Sequence, residues 1–334
     1  MAREAGEAGP IRHGGDLGEA RRLFPDAPEP WIDLSTGINP IPYPCPALEA
    51  SHFQRLPAAG DLRALEAAAA AAYGAPGAGH VAAAPGTQAL IDLLPRLRGP
   101  GRVAVVGPTY AEHAAAWRRG GHAVATVPDL GEAAAADVAV VVNPNNPDGR
   151  TWTRPALADA ARALAARGGW LVVDEAFADL EPVESLCAAP PAGAVVLRSF
   201  GKTYGLAGIR LGFAVAAPPA ADAIRAALGP WAVSGPALAV GRVALADAAW
   251  RREAAAARGR DAARLDALIA AAGGRLVGGT RLFRTADFPD AASLFGRLGR
   301  AGLYVRRFEA APRRLRFGLP GTGAAWARLA RALA

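Results

Sequence analysis

The sequence predicts an α/β protein in which a mainly parallel sheet is covered by helices on both faces, followed by a smaller α+β unit. Three observations carry this. Short runs that are continuously apolar, not alternating, recur at Val103–Gly107, Val138–Val142, Trp170–Val173 and Ala194–Leu197. Helical stretches separate them. Near Trp231 the pattern changes to a long helical stretch and then to short strands of antiparallel type.

In chain order, the first forty residues are rich in Gly, Pro and charge and read as an irregular arm. The arm contains His13-Gly14-Gly15 and ends in Asn39-Pro40-Ile41-Pro42. A helix is expected from about Asp61 to Tyr73, closed by Gly74, with Ala67–Ala72 supplying strong helix formers. Ala84-Pro85-Gly86-Thr87-Gln88 opens another helix. Strand Val103–Gly107 leads to a helix from about Tyr110 to Arg119, and Val138–Val142 to one from about Pro155 to Ala166. Strands Trp170–Val173 and Ala194–Leu197 follow. A helical stretch from Pro236 to Ala272 is interrupted only weakly, by Gly241 and Gly259. After Gly273-Gly274 come Arg275–Val277, Leu282–Thr285, a helix near Ala291–Arg300, Tyr304–Phe308, Leu315–Phe317 and a final helix. The expected organisation is an arm (1–40), a large domain (41–231) and a small C-terminal domain (232–334).

Composition excludes several classes of function. The 334 residues weigh 34.1 kDa and carry a net charge of +7, with a pI near 10.2. The arginines occur singly or in pairs along the whole chain, with no basic stripe interleaved with aromatics, so no nucleic-acid partner is expected. The excess suits an anionic small molecule instead. Cys45 and Cys187 stand far apart, so neither a disulfide nor a metal site is expected, and the reducing cytoplasm is the default compartment. Met1–Arg12 lacks the apolar region of an export signal, and no run of about 18 apolar residues suggests a membrane span.

The chemistry gathers around one residue. Of 37 Lys+Arg, one is lysine, Lys202, which leaves 36 arginines. Arginine stays protonated, whereas a buried lysine can lose its proton and attack a carbonyl. Lys202 lies in Ser199-Phe200-Gly201-Lys202-Thr203-Tyr204-Gly205-Leu206-Ala207-Gly208-Ile209-Arg210, just after a strand. Gly-Lys-Thr is not the tail of a Walker A loop, because Val196 stands where that loop needs glycine. Ser199 and Arg210 instead offer a hydroxyl and a permanent cation to a phosphate ester. Asp174, in Asp174-Glu175-Ala176-Phe177, ends an apolar strand at the edge where parallel sheets bind ligands. Asn143-Pro144-Asn145-Asn146-Pro147-Asp148-Gly149 follows another strand as a rigid turn presenting amides. Gly86, Thr87 and Gln88 offer main-chain amides to a phosphate.

In this order, these motifs resemble the fold-type I, pyridoxal-phosphate-dependent aminotransferase superfamily, class I/II branch. The resemblance implies a large domain with a mostly parallel seven-stranded sheet flanked by helices, plus a smaller α+β domain. It implies pyridoxal 5'-phosphate as cofactor, bound covalently to Lys202. Asp174 would pair with the pyridine nitrogen, Asn146 with the ring O3′, and Tyr110 would stack on the ring. Gly86, Thr87, Gln88, Ser199 and Arg210 would hold the cofactor phosphate, and Arg316 a substrate carboxylate. The superfamily often carries a tyrosine at the position of Phe177, and another near Leu56 that reaches a partner subunit. A homodimer is implied.

Within the superfamily, His13-Gly14-Gly15, the stretch Asp33-Leu34-Ser35 to Asn39-Pro40, Pro108–His113, Asp174–Phe177 and Leu315–Pro320 are similar to the threonine-phosphate decarboxylases of cobalamin biosynthesis. That resemblance implies a phosphorylated amino-acid substrate contacted by His13, Gly14, Gly15, Asn39 and Arg316. The implied reaction converts L-threonine O-3-phosphate to (R)-1-aminopropan-2-yl phosphate and CO₂. Histidinol-phosphate transamination is the alternative.

Overall fold

The computed structural model describes residues 11–334. The reading of Met1–Pro10 as lacking an export signal therefore lies outside the described residues.

Twelve strands form two sheets. They are β1 (Ile32–Leu34), β2 (Val81–Ala84), β3 (Arg102–Val106), β4 (Ala123–Val127), β5 (Val138–Val142), β6 (Trp170–Asp174), β7 (Ala194–Ser199), β8 (Gly212–Ala216), β9 (Arg275–Thr280), β10 (Phe283–Asp287), β11 (Leu303–Arg307) and β12 (Arg314–Gly318). The large sheet has seven strands in the order β2-β8-β7-β6-β5-β3-β4. Only β8 runs against its neighbours; the remaining pairs are parallel. Strands β5, β7 and β8 are buried along their whole length, which is why their sequences are apolar without alternation. Edge strand β4 has no fully buried residue.

The smaller sheet has the order β1-β11-β12-β10-β9, with β1 parallel to β11 and the other pairs antiparallel. Its core joins Leu34, Phe288, Leu303, Phe317 and Trp326.

Four sequence readings need correction. The arm is not irregular throughout. Leu17–Leu23 is a helix whose N-cap Asp16 accepts from the Glu19 N–H, and Ile32–Leu34 is the edge strand of the smaller sheet. Strands β2 and β8 carry weak sequence signals, because alanine and glycine replace most of the β-branched residues that mark strands, and β4, exposed at the sheet edge, lacks a continuous apolar run. The stretch 236–272 is two helices, Gly235–Ala246 and Ala248–Ala271. They break at Asp247, whose side chain accepts from the Trp250 N–H as N-cap of the second. Gly241 and Gly259 lie inside the helices; a Cβ at Gly241 would sit 2.6 Å from Leu211 and 2.8 Å from Leu65. Close packing, not a break, accounts for that glycine. Finally, Gly235–Ala246 follows residue 231 in sequence but packs into the core of the large sheet, with Leu65, Val240 and Ala244 in one cluster.

The two sheets meet at glycines. A Cβ on Gly149 (φ +73°) would run into the main chain of Gly279, and one on Gly278 into the carbonyl of Asp148. Beside them, the Thr285 hydroxyl donates to the Pro147 carbonyl at 2.5 Å.

Candidate active site

Parallel strands bring their C-terminal ends to one edge, and the sequence motifs collect there. Asp174 ends β6, Ser199 ends β7, the asparagine turn follows β5 and Tyr110 follows β3. Because β8 is reversed, Arg210 just before it lies at the same edge. In register, Gly212 pairs with both Ala84 and Ser199, so it joins the ends of β2 and β7. A Cβ there would come within 2.6 Å of the Thr87 N–H nitrogen.

Asp174 is 3% exposed. Its Oδ2 lies 2.9 Å from His113 Nε2, and its Oδ1 accepts from the Ala176 N–H at 3.0 Å. Burial pushes this carboxyl up, but the His113 hydrogen bond and charge, the Lys202 charge and the Ala176 N–H together hold it below its ordinary value. The site therefore keeps a buried carboxylate charged. Lys202 Nζ stands 4.4 Å from the ring centroid of Phe177. Burial lowers its amine pKa, Asp174 opposes that shift and Arg316 adds to it. The net lowering favours the neutral, nucleophilic form.

Phe177 supplies an apolar wall where the resemblance would put a phenol. It packs edge-on against Phe283, with centroids 5.0 Å apart. Tyr110 donates to Gln88 Oε1 at 3.2 Å, and burial pushes its phenol up to about 12, so it stays neutral. Within the asparagine turn the three amides divide their work. Asn143 Oδ1 accepts from the Trp152 N–H at 3.0 Å. Asn145 bonds Thr109, Pro108 and Asp148 and builds the turn. Asn146 is left to face Arg316, whose Nη1 donates to its Oδ1 at 2.6 Å.

The residues present fit a phosphorylated aromatic cofactor and an acidic substrate. Arg210 adopts φ +53°, outside the usual range for a side-chain-bearing residue, and its guanidinium lies beside Gly86. A Cβ on Gly86 would be 2.8 Å from Arg210 Nη2, so the missing side chain leaves room there. Among the described residues no carboxylate pairs with Arg210, and the Ser199 hydroxyl makes no capping bond. Arg316 is 7% exposed; its Nη2 donates to the Ser35 carbonyl at 2.7 Å, and its Nε has no partner among the described residues. Burial, and then the charge of Arg306, pull this guanidinium down to about 10, still a cation at neutral pH. A buried cation without a carboxylate partner is costly unless an anion joins it.

The arm reaches the same place. His13 Nε2 lies 2.8 Å from Glu112 Oε1, and its ring is 6.0 Å from that of Tyr110. Gly15 N–H donates to Ser35 Oγ at 2.7 Å, and a Cβ on Gly14 would strike the Ser35 carbonyl. These glycines seat the arm on the residue that Arg316 grips. Asn39 is different, since its side-chain groups are engaged by Thr203, Ile41 and Arg258. Sequence reasoning assigned no role to His113, Ser35 or Arg306. His113 sits one helical turn after Tyr110, and Arg306 pairs across the sheet with Arg316; only the tertiary fold shows either partner.

A reversed strand in an otherwise parallel sheet, with a partly buried lysine near a buried aspartate at its edge, places the chain among α/β enzymes. The chain belongs to the aminotransferase class I and II family, which it matches over residues 30–333. It is 45% identical to the threonine-phosphate decarboxylase of Pseudomonas aeruginosa over 97% of each chain. It is 44% identical to the threonine-phosphate decarboxylase of a Sinorhizobium species, over 97% of this chain and 98% of that one. Among solved structures, it superposes with a TM-score of 0.82 on the histidinol-phosphate aminotransferase of Sinorhizobium meliloti, determined in complex with pyridoxal-5'-phosphate. That superposition covers 98% of this chain and 96% of the other; at 22% identity the likeness is one of fold.

Proposed function

We propose that the chain is a pyridoxal-phosphate-dependent carboxy-lyase of cobalamin biosynthesis, acting on L-threonine O-3-phosphate to give (R)-1-aminopropan-2-yl phosphate and CO₂. The observation that carries this is the 45% identity, over nearly the whole chain, to a decarboxylase of that name. The site supports it with cations that have no carboxylate partner among the described residues and suit a substrate bearing both a carboxylate and a phosphate.

When bound, the cofactor supplies an electron sink next to the substrate Cα. Lys202 is the residue that would hold it covalently, and Asp174 would keep its pyridine nitrogen protonated. Asn146 would hold the ring oxygen and Tyr110 would cover the ring, while Gly86, Thr87, Gln88, Ser199 and Arg210 would hold its phosphate. Arg316 orients the substrate carboxylate, and His13 with the Gly14 amide receives the substrate phosphate, while Gly15, whose N–H is taken by Ser35, shapes the turn. Arg306 lies on the neighbouring strand, close enough for its charge to lower Arg316, and so adds positive potential for a second anion. The carboxylate leaves as CO₂ and a proton takes its place on Cα. The freed Lys202 amine, in its protonated form, delivers that proton. No amino acceptor is consumed.

The test is incubation with threonine phosphate in the absence of any keto acid. Stoichiometric CO₂ release is expected, and amino transfer to 2-oxoglutarate without CO₂ would overturn the reading. Arg316→Lys should raise KM for threonine phosphate about tenfold or more, because an ammonium cannot reproduce the two-pronged grip. An unchanged KM would remove Arg316 from substrate binding.

The chain further reads as a cytoplasmic homodimer. No described helix is long and apolar enough to cross a membrane. Phe53 and Leu56, 67% and 68% exposed, and Trp231 form apolar surface suited to a second copy. Sedimentation equilibrium should give twice the 34.1 kDa chain mass; a monomer at micromolar concentration would refute the dimer.

A further inference from the structure

The turn that carries Lys202 is short. Helix Phe200–Thr203 has four residues and cannot satisfy its own C-terminal carbonyls. A strap, residues 39–43, satisfies them in succession. The Asn39 N–H donates to the Lys202 carbonyl at 2.9 Å, Asn39 Nδ2 to the Thr203 carbonyl at 2.9 Å, and the Tyr43 N–H to the Tyr204 carbonyl at 2.8 Å. Gly205, at φ +67°, lets the turn lie against the strap: a Cβ there would be 2.7 Å from the Asn39 carbonyl oxygen and from Pro42.

Asn39 is itself held from a third element. Its Oδ1 accepts from Arg258 Nη1 at 3.1 Å and from the Ile41 N–H at 3.1 Å. Arg258 belongs to helix Ala248–Ala271 and is fixed there by Asp261, with Nε to Oδ2 at 2.8 Å. Asn39 is 2% exposed, and both acceptor sites of its Oδ1 and one of its two Nδ2 hydrogens are engaged within the chain. At most one amide N–H is left for a ligand. Four residues earlier in the chain, the Ser35 carbonyl accepts from Arg316.

We infer that Asn39, braced by Arg258, is a positioning residue that sets where the Lys202 amine stands, and not a substrate contact. Its main-chain N–H and its side-chain amide hold two consecutive carbonyls of the lysine turn, so removing the side chain releases the Thr203 carbonyl and frees the turn to shift. The reaction requires Lys202 to address Cα closely, and a misplacement of about 1 Å costs up to about a hundredfold in rate. Arg258 acts through Asn39 and links helix Ala248–Ala271 to the lysine.

The inference rests on Lys202 as the cofactor-bearing residue, so its test includes a readout independent of substrate. Holoenzymes carrying Asn39→Ala, Asn39→Asp, Arg258→Met and Arg258→Lys are compared with the parent. Each is then stripped of cofactor, and the rate at which added pyridoxal phosphate restores the visible absorbance of the lysine linkage is followed. Asn39→Ala and Arg258→Met should slow that rate, and lower kcat, on the order of tenfold, with KM within about twofold. Arg258→Lys should recover part of the loss. Asn39→Asp keeps an acceptor for Arg258 but loses the donor to Thr203, and should behave like Asn39→Ala. A rise in KM with unchanged kcat and reloading would make Asn39 a substrate contact and overturn the inference. A lowered Tm with normal reloading and kcat would also overturn it, leaving a purely structural brace. Should Asn39→Ala fail to fold, Arg258→Met carries the same test. Failure of the threonine-phosphate reading alone would leave the reloading rates unaffected.

Discussion

Replacing Lys202 with arginine is expected to reduce kcat by on the order of 10⁴-fold or more and to abolish the visible absorbance of the lysine-bound cofactor. The substitution keeps a positive charge and a long stem where 36 other positions in this chain already use arginine. It removes only the capacity to shed a proton and attack a carbonyl carbon. The present amine is prepared for that role: burial lowers it, and Arg316 lowers it further against the pull of Asp174. Absorbance of the purified variant and single-turnover CO₂ release are the measurements. A variant that retained the linkage absorbance would remove Lys202 from the chemistry, whereas a charge-only role would leave most of the activity in place.

The second large effect is on stability. Arg198→Met should destabilise the fold by about 3–5 kcal/mol, read as a fall in the guanidinium denaturation midpoint, because it strands two buried carboxylates. Arg198 Nη1 lies 2.5 Å from Glu175 Oε2, and Nη2 pairs with Asp179. Glu175 also takes the Ser185 hydroxyl and the Leu186 N–H, and Asp179 Oδ2 accepts from Thr203 Oγ1 at 2.8 Å. Arg198 lies 4.6 Å from the ring centroid of Tyr73. Burial works against the Arg198 charge, but its acidic neighbours outweigh burial and raise its pKa well above normal. Adding Glu175→Gln and Asp179→Asn should return much of the loss, since neutral amides tolerate burial without a counter-charge. A loss below about 1 kcal/mol for Arg198→Met alone would mean that the network relaxes or hydrates, and would sink this account.

The position of that network explains part of what was legible in sequence. Three candidate residues at the sheet edge have an immediate neighbour in the ion cluster behind it: Asp174 with Glu175, Ser199 with Arg198, and Lys202 with Thr203. Strand alternation turns one member of a strand pair to the site and the other away from it. The motifs were therefore readable as strings, while the bonds that give their second members a task join residues 10 to 24 positions apart. The strands β5, β6 and β7 were legible because β-branched residues fill them. Strands β2 and β8 were not, because alanine suits a crowded sheet interior but is also the strongest helix former, and β4 at the exposed edge has no continuous apolar run. Asp247 was overlooked as a break for a similar reason: the alanine-rich context suggests continuity, and only a side chain folded back onto the Trp250 N–H ends one helix and begins the next. For Asn39, the family resemblance implies a ligand contact, whereas the partners that hold it lie at Thr203 and Arg258.

Where Gly149 meets Gly278 and Gly279, main chain lies on main chain with no side chain between. The spacing from Asn146 to Arg316 is thus gauged by peptide dimensions, and core residues elsewhere can drift without altering it. The joint ties strand β9 to the asparagine turn, and a side chain at Gly149 or Gly278 would push the two apart.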